Sequence, residues 1–595
     1  MTRTPLRPLA RILSARAKGE SPDAIERENL RLRHEAKRDR ARGRAEGRLL
    51  LLAAAFFCGF SLVGMRMATL AGSVPEEPRT ATSGASIIAS RADIVDRNGR
   101  ILATNFTTHS LYAHPPEMID PAGAAEALAG IFPDLDAAEL LKQFTSERKF
   151  LWVRRNISPE QRQAVHDIGD PGLLFGPREM RLYPNGRLAA HVLGGASYGR
   201  EGVHSAEIVG VAGIEKAFDE ALRDPGRGGE PLTLSIDLTV QSAIRTVLDG
   251  GMRLMNAEGA AAVLMDVRTG EIVSMVSLPD FDPNDRPAPL PAGKAAAESP
   301  IFNRAVQGLY ELGSTFKILT IAQALDEGLV NPSTMIDTTG PLTWGRYRIR
   351  DFRNYGAQNT VSNVIVKSSN VGTARIALMI GAERQQAFMA ELGLTKPTPV
   401  ELIEGPGAQP LLPKNWSEIS LMTISYGHGL SASPLHLAAA YASIVNGGTK
   451  VEPTLLKHDA PSPGPRVISE ETSEQILTML RDTVRIDTAT LGEVPGYRVG
   501  AKTGTADKPR EDGRGYYDDR VIATFAGVFP SDDPAYVLVL SLDEPVETSG
   551  KEPRRTAGWT AVPVAAEVIR RAAPLLGLRP EIEPEDADGV TLASN

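Results

Sequence analysis

Cysteine is almost absent from this 595-residue chain: Cys58 stands alone. No intrachain disulfide can form, so the cysteine count permits an extracytoplasmic location without pointing to one. Metal-ligand patterns are missing as well, because the nine histidines and the single cysteine form no cluster with ligand spacing. No collagen-like or repeat signature is present, and 42% hydrophobic with 23% charged residues is ordinary globular composition. A basic surplus is lacking over most of the length. The net charge is −8, yet residues 1–48 carry 14 Lys/Arg against 7 Asp/Glu, which leaves −15 for the remainder. That balance argues against nucleic acid as a partner, since duplex binding needs a basic face. The length exceeds what one compact core serves, so two or more domains are expected.

One long apolar run is present. Leu49 to Met65 is uncharged over 17 residues, the lower limit for crossing a hydrocarbon core of ~30 Å. Arg66 can snorkel, and the following residues extend the candidate anchor to 49–72. Lys37, Arg38, Arg40, Arg42, Arg44 and Arg48 precede it, so the positive-inside rule puts residues 1–48 in the cytoplasm and everything after Pro75 outside. Within this basic tail, Ala24–Gly47 has Arg and Glu at helical spacing and reads as a solvated helix.

Beyond the anchor, residues 73–230 form a first expected domain of mixed strands and helices. Short strands are expected around Ala92–Thr104 and a helix near Pro121–Ile131. Pro225 to Pro231 (PGRGGEP) disfavours helix and strand alike and marks a boundary. Residues 231–578 read as one large domain, followed by an acidic tail at 579–595. Ala260–Asp266 and Glu271–Ser277 form a hairpin pattern across Val267–Gly270, and Val521–Val528 with Ala535–Leu542 form another. The stretch between them is mainly helical, with one helix delimited by Ser433 as N-cap, Pro434 and Gly447-Gly448. A last helix is expected over Val564–Ala573, between two prolines. Strand pairs at both ends with helices between predict an α+β fold, an antiparallel sheet flanked by helices.

Three short motifs in this domain carry chemistry. Ser314-Thr315-Phe316-Lys317 precedes an apolar helical run. A serine there is commonly an N-cap and a lysine one turn on is commonly solvated. The same spacing also puts both on one helix face, where the Lys317 amine can reach the Ser314 hydroxyl. Serine needs a base to become a nucleophile, and lysine is a base only when a dry site or a neighbouring cation keeps it neutral. Lys502-Thr503-Gly504-Thr505 offers that second cation on a plausible strand. Its hydroxyls could hold a peptide, and Gly504 would let the peptide lie close, as in strand addition. Ser368-Ser369-Asn370 reads by itself as a helix cap before Val371–Met379; functionally, Ser368 would relay a proton and Asn370 would hold substrate backbone. Each motif is weak evidence alone. The order S-x-x-K, S-x-N, K-T-G is specific, and it closely resembles the trio of penicillin-binding proteins and class A β-lactamases.

The chain resembles a class B penicillin-binding protein, most closely the division-specific, FtsI-type peptidoglycan D,D-transpeptidase. Besides the trio, the similarity rests on Arg91–Arg100 (RADIVDRNGR), Arg181-Leu182-Tyr183-Pro184 with His191, and Gly213-Ile214-Glu215. Asn303-Arg304-Ala305, Lys367–Gly372 and Ser425–Leu430 (SYGHGL) extend it. It departs from the family at Leu312, where proline is usual, and at Ala501, where glycine is common. The resemblance implies a single transmembrane helix, a non-catalytic pedestal domain and an extracytoplasmic transpeptidase domain. It implies attack by Ser314 on a D-Ala-D-Ala stem peptide with Lys317 as base, proton relay through Ser368 and Lys502, and substrate binding by Asn370, Thr503, Gly504 and Thr505. The Ser314 and Thr505 backbone N–H groups would be the oxyanion donors, and an amine from a second stem peptide would resolve the ester. No cofactor is implied. Implied partners are stem peptides, β-lactam inhibitors, a SEDS-type glycosyltransferase and divisome proteins. Rival readings are an elongation-type relative, a β-lactam sensor or β-lactamase, and a divisome scaffold with a decayed site.

Overall fold

The computed structural model describes residues 7–21, ten residues between 23 and 38, and residues 52–65, 91–201, 206–291, 294–458, 460, 464–510 and 515–581. It divides into two compact units. The first comprises Met1–Ala81, Tyr112–Val153 and Val165–Leu174; the second comprises Thr82–Leu111, Arg154–Ala164 and Phe175–Asn595.

At the N-terminus, Arg7–Ala17 is helical and residues 52–65 form an exposed helix. Among the described residues no helix is long and apolar enough to cross a membrane. The anchor expected at 49–72 runs past the described helix at both ends, and most of the tail at 579–595 also lies outside the described residues. Elsewhere in the first unit, Pro121–Ile131 is the expected helix. Asp120 caps it by accepting from the Gly123 N–H, and proline occupies its first position.

The second unit begins with a pedestal region. Strands in order along the chain are β1 (Ile94–Val95), β2 (Ile101–Ala113), β3 (Leu151–Ile157), β4 (Leu173–Leu182), β5 (Gly195–Glu201), β6 (Ala206–Ala212) and β7 (Leu232–Thr233); β2, β3 and β4 have residues in both units. β1 pairs antiparallel with β2 and parallel with β7. The motif residues of this region converge on an ionic cluster. Arg91 binds Glu215 at 2.7 Å and Asp219 at 2.8 Å, and Arg181 binds the other Glu215 oxygen at 2.7 Å. Arg223 closes on Asp219 at 2.7 Å, while the Gly210 N–H donates to the same carboxylate at 2.7 Å. Glu215 is fully buried, so its charge is tolerable only because both oxygens are held.

The large domain is built on an antiparallel sheet. Its strands are β8 (Gly259–Asp266), β9 (Ile272–Leu278), β14 (Gly500–Pro509), β15 (Tyr516–Phe529) and β16 (Tyr536–Asp543), in the order β14-β15-β16-β8-β9. Four short strands lie between: β10 (Met335–Asp337) with β13 (Gln358–Thr360), and β11 (Leu342–Trp344) with β12 (Tyr347–Ile349). Alternate residues of the main sheet serve opposite cores. Val263, Met265, Val537 and Val539 pack with the Pro434–Val445 helix; Leu264, Leu538 and Leu540 pack with the Leu238–Leu254 and Ala561–Leu575 helices. Cover on both faces explains why β8 reads as a continuous apolar run. Removing one such side chain, as in Leu264→Ala, would cost ~2–5 kcal/mol.

Two element ends differ from expectation. β15 starts at Tyr516, five residues before Val521, because its first residues are largely exposed and carry no apolar alternation. The final helix includes both of its flanking prolines. Pro563 sits in the first turn, where backbone N–H groups have no intrahelical partner, so its missing donor costs nothing there.

Candidate active site

The three motifs line one cleft of about 550 Å³ within the second unit. Ser314, Ser368, Asn370, Thr503 and Thr505 face it, together with Phe352, Arg353, Tyr355, Asp487 and Trp559. Ser314 sits in a 3-10 turn, Gly313–Phe316, that runs directly into the Lys317–Asp326 helix. It caps neither element, and its hydroxyl makes no hydrogen bond among the described residues. The turn is pinned from two sides. Thr315 donates to the Leu312 carbonyl at 2.9 Å, and the buried Tyr441 hydroxyl donates to the Thr315 carbonyl at 2.8 Å.

Lys502, Thr503, Gly504 and Thr505 lie on β14, the edge strand, whose other side pairs with β15. The glycine is needed against the Ser314 turn itself. A Cβ at Gly504 would fall 2.1 Å from the Leu312 carbonyl oxygen, so any side chain would push β14 off that turn. The Thr505 hydroxyl accepts from the Ala557 N–H at 3.0 Å.

Ser369, the middle residue of the third motif, caps the Asn370–Ile380 helix by accepting from the Gly372 N–H. Ser368 just before it has φ 58°, a left-handed conformation uncommon for serine. That turn aims both its carbonyl and its hydroxyl at one amine: Lys317 Nζ donates to the Ser368 oxygen at 2.6 Å and to Oγ at 2.9 Å. Lys502 Nζ donates to the same Oγ at 3.1 Å. Among the described residues no hydrogen bond joins Lys317 to Ser314. The Ser368 carbonyl and hydroxyl hold the lysine amine, while the 3-10 turn leaves Ser314 facing the cleft.

Two fully buried ammonium groups therefore share one hydroxyl. Burial drives the Lys317 amine well below the ordinary lysine range; neighbouring Lys502 pushes it further down and Asp351 opposes the shift. Burial also lowers Lys502 to about 7, against the pull of Asp487. A lysine whose proton affinity burial lowers in this way can release its proton and act as a base.

Several site residues carried no signal in the sequence. Asp351 accepts from the Ser369 hydroxyl at 2.8 Å and from the Val371 N–H at 3.0 Å, fixing the helix start behind Ser368. The Arg350 carbonyl accepts from the Asn370 side chain at 3.0 Å, and Arg353 pairs with Asp487 at 3.0 Å on the cleft wall. These residues belong to no short motif, and only long-range folding brings them near Ser314. His191 is buried, hydrogen-bonded to the Pro300 carbonyl oxygen at 2.8 Å, and lowered by burial to about 4, which fits a structural role.

A serine facing this cleft, backed by two buried lysines whose proton affinity burial lowers, has the makeup of a serine acyltransferase site. Residues 260–569 match the family described as penicillin binding protein transpeptidase domain, and residues 86–230 match the penicillin-binding protein dimerisation domain. The chain belongs to the class B penicillin-binding proteins. It is 35% identical over 570 residues, 93% of each chain, to the probable peptidoglycan D,D-transpeptidase FtsI of Caulobacter vibrioides (strain NA1000 / CB15N). It is 29% identical over 489 residues to the peptidoglycan D,D-transpeptidase FtsI of Escherichia coli (strain K12), covering 77% of this chain and 80% of the relative. The fold is shared with penicillin binding protein 3 of Mycobacterium tuberculosis, solved in complex with aztreonam. The TM-score is 0.62 at 24% identity, over 83% of this chain and 97% of that one.

Proposed function

We propose that this protein is a division-specific D,D-transpeptidase that crosslinks peptidoglycan stem peptides through an ester on Ser314. The carrying observation is the convergence of buried Lys317 and Lys502 on the Ser368 hydroxyl, at the cleft that Ser314 faces. In this reading Lys317 takes the Ser314 proton as Oγ attacks the D-Ala-D-Ala carbonyl. Ser368, bonded to both lysines, passes a proton to the departing D-alanine amine, with Lys502 holding its charge near the relay. Backbone N–H groups of Ser314 and Thr505 stabilise the oxyanion, a contact whose loss costs about 3 kcal/mol in other enzymes. Asn370 and the hydroxyls of Thr503 and Thr505 hold the donor peptide, which lies along β14 where Gly504 offers no side chain.

The division role rests on the likeness to the FtsI proteins. Residues 49–72 anchor the chain with its N-terminus in the cytoplasm and the catalytic domain outside, which the apolar run and its preceding basic cluster support. A SEDS-type glycosyltransferase and divisome proteins are the partners this family membership suggests. Mass spectrometry of the full-length protein after penicillin treatment tests the reaction. The adduct is expected on Ser314 and lost in Ser314→Ala; an adduct on another residue refutes the assignment.

A further inference from the structure

Glu311 lies three residues before Ser314, is only 6% exposed, and has no part in the acylation chemistry above. One of its carboxylate oxygens accepts from the Gly429 N–H at 2.8 Å and from the Tyr516 hydroxyl at 3.0 Å. The other is buried with no hydrogen-bond partner among the described residues. His428, the residue before Gly429, has a buried Nδ1 that also lacks a partner among the described residues. The imidazole is flanked by Tyr426 at 5.5 Å and Tyr516 at 6.3 Å between ring centroids.

This loop is welded to the nucleophile turn. The Gly313 N–H donates to the Gly427 carbonyl at 3.2 Å, and a Cβ at Gly427 would fall 1.9 Å from the Gly313 carbonyl oxygen. Chain geometry alone keeps the Glu311 and Ser314 Cα atoms within about 10 Å.

Buried polar atoms are ordinarily paired, so an unpaired carboxylate oxygen and an unpaired imidazole nitrogen against the same tyrosine, Tyr516, call for a partner. With its hydrogen on Nε2, a neutral histidine offers Nδ1 as a lone pair, and a primary ammonium brings three hydrogens and one positive charge. We infer that Glu311 and His428 form an acceptor subsite for the primary ammonium of the incoming stem peptide, an inference that rests on the transfer reaction proposed above. The acceptor reaches the pair by displacing the Tyr516 ring, which is 41% exposed and covers Glu311. Glu311 takes one proton from the ammonium. The freed amine attacks the ester carbonyl on Ser314, a C–N bond forms, and the bond from that carbon to Oγ breaks. The second amine proton goes to Oγ, and Glu311 returns its proton to solvent.

The test uses full-length protein, a thioester donor ending in D-alanine, and Nα-acetyl-D-lysine as the amine. Amide and hydrolysis products are measured separately, alongside the rate of labelling by fluorescent penicillin. Glu311→Gln keeps an acceptor for Gly429 and Tyr516 but loses the charge. The aminolysis-to-hydrolysis ratio is expected to fall at least tenfold further than the labelling rate, with a matching rise in the amine concentration for half-maximal transfer. His428→Phe keeps an aromatic ring without the lone pair and is expected to shift the ratio the same way, by about threefold or more. Unchanged ratios in both variants, or losses that only parallel labelling, would mean a water-filled structural cluster and overturn the subsite. Failure of the unmodified protein to take the label is a different outcome, and it removes the transfer reaction together with the subsite.

Discussion

Two buried clusters of charge among the described residues of the second unit are built on opposite rules. Around Arg91, two carboxylates are shared among Arg91, Arg181 and Arg223, and both Glu215 oxygens are satisfied. Around Ser368, two lysines face one hydroxyl with no carboxylate in direct contact. Matched opposite charges hold their ionised forms and fix geometry. Unmatched like charges are driven toward neutrality, and a neutral lysine is a base. The same dry interior thus makes a clamp in one place and two amines of lowered proton affinity in the other.

That contrast can be broken experimentally. The largest effect is expected from Lys317→Met, which removes the proposed base: labelled-penicillin acylation should fall by ~10²–10⁴-fold, with the melting temperature held or raised. Arg91→Met should do the reverse. Glu215 keeps Arg181 and Asp219 keeps Arg223, but each loses one buried partner, which should cost about 3 kcal/mol by denaturant titration, while the surviving folded fraction still acylates at the normal rate.

Lys502→Met sharpens the comparison through pH. The folded pKa of about 7 lies below the unfolded value, so between them the unfolded chain holds a proton that the folded chain has released. Stability therefore rises with pH from about 7 toward ~10, the ordinary lysine value. The variant should flatten that rise in thermal scans. It also removes the like charge beside Lys317, so the acid limb of its acylation profile should move to higher pH. The smallest effect is expected from Asp351→Asn. It weakens the Ser369 and Val371 bonds by about 1 kcal/mol and shifts the acid limb to lower pH, because the carboxylate had raised Lys317. An unmoved limb would reduce Asp351 to a purely structural role.

Much of the large domain was legible in the sequence because its signals are local. The two hairpins, the Pro434–Val445 helix with its Ser433 cap and the helix after Ser369 are written in periodicity, proline position and capping residues. The motif segments could be assigned to a helix start and a strand for the same reason. What local pattern could not supply is the partner of Lys317. Helical spacing pointed to Ser314, whereas the amine is held by Ser368, 51 residues away, through a left-handed turn that has no sequence signature. Asp351, Glu311 and the exposed start of β15 escaped notice on the same grounds, since nothing within a few residues of each announces its contacts.

Ser368 carries a liability as well as a role. At φ 58° a glycine would sit there with less strain than serine, yet only serine brings the hydroxyl that both lysines grip. Ser368→Gly should relax the backbone and disconnect the lysines from each other in one step. Serine in this posture gives up backbone ease for an oxygen that bridges two buried amines.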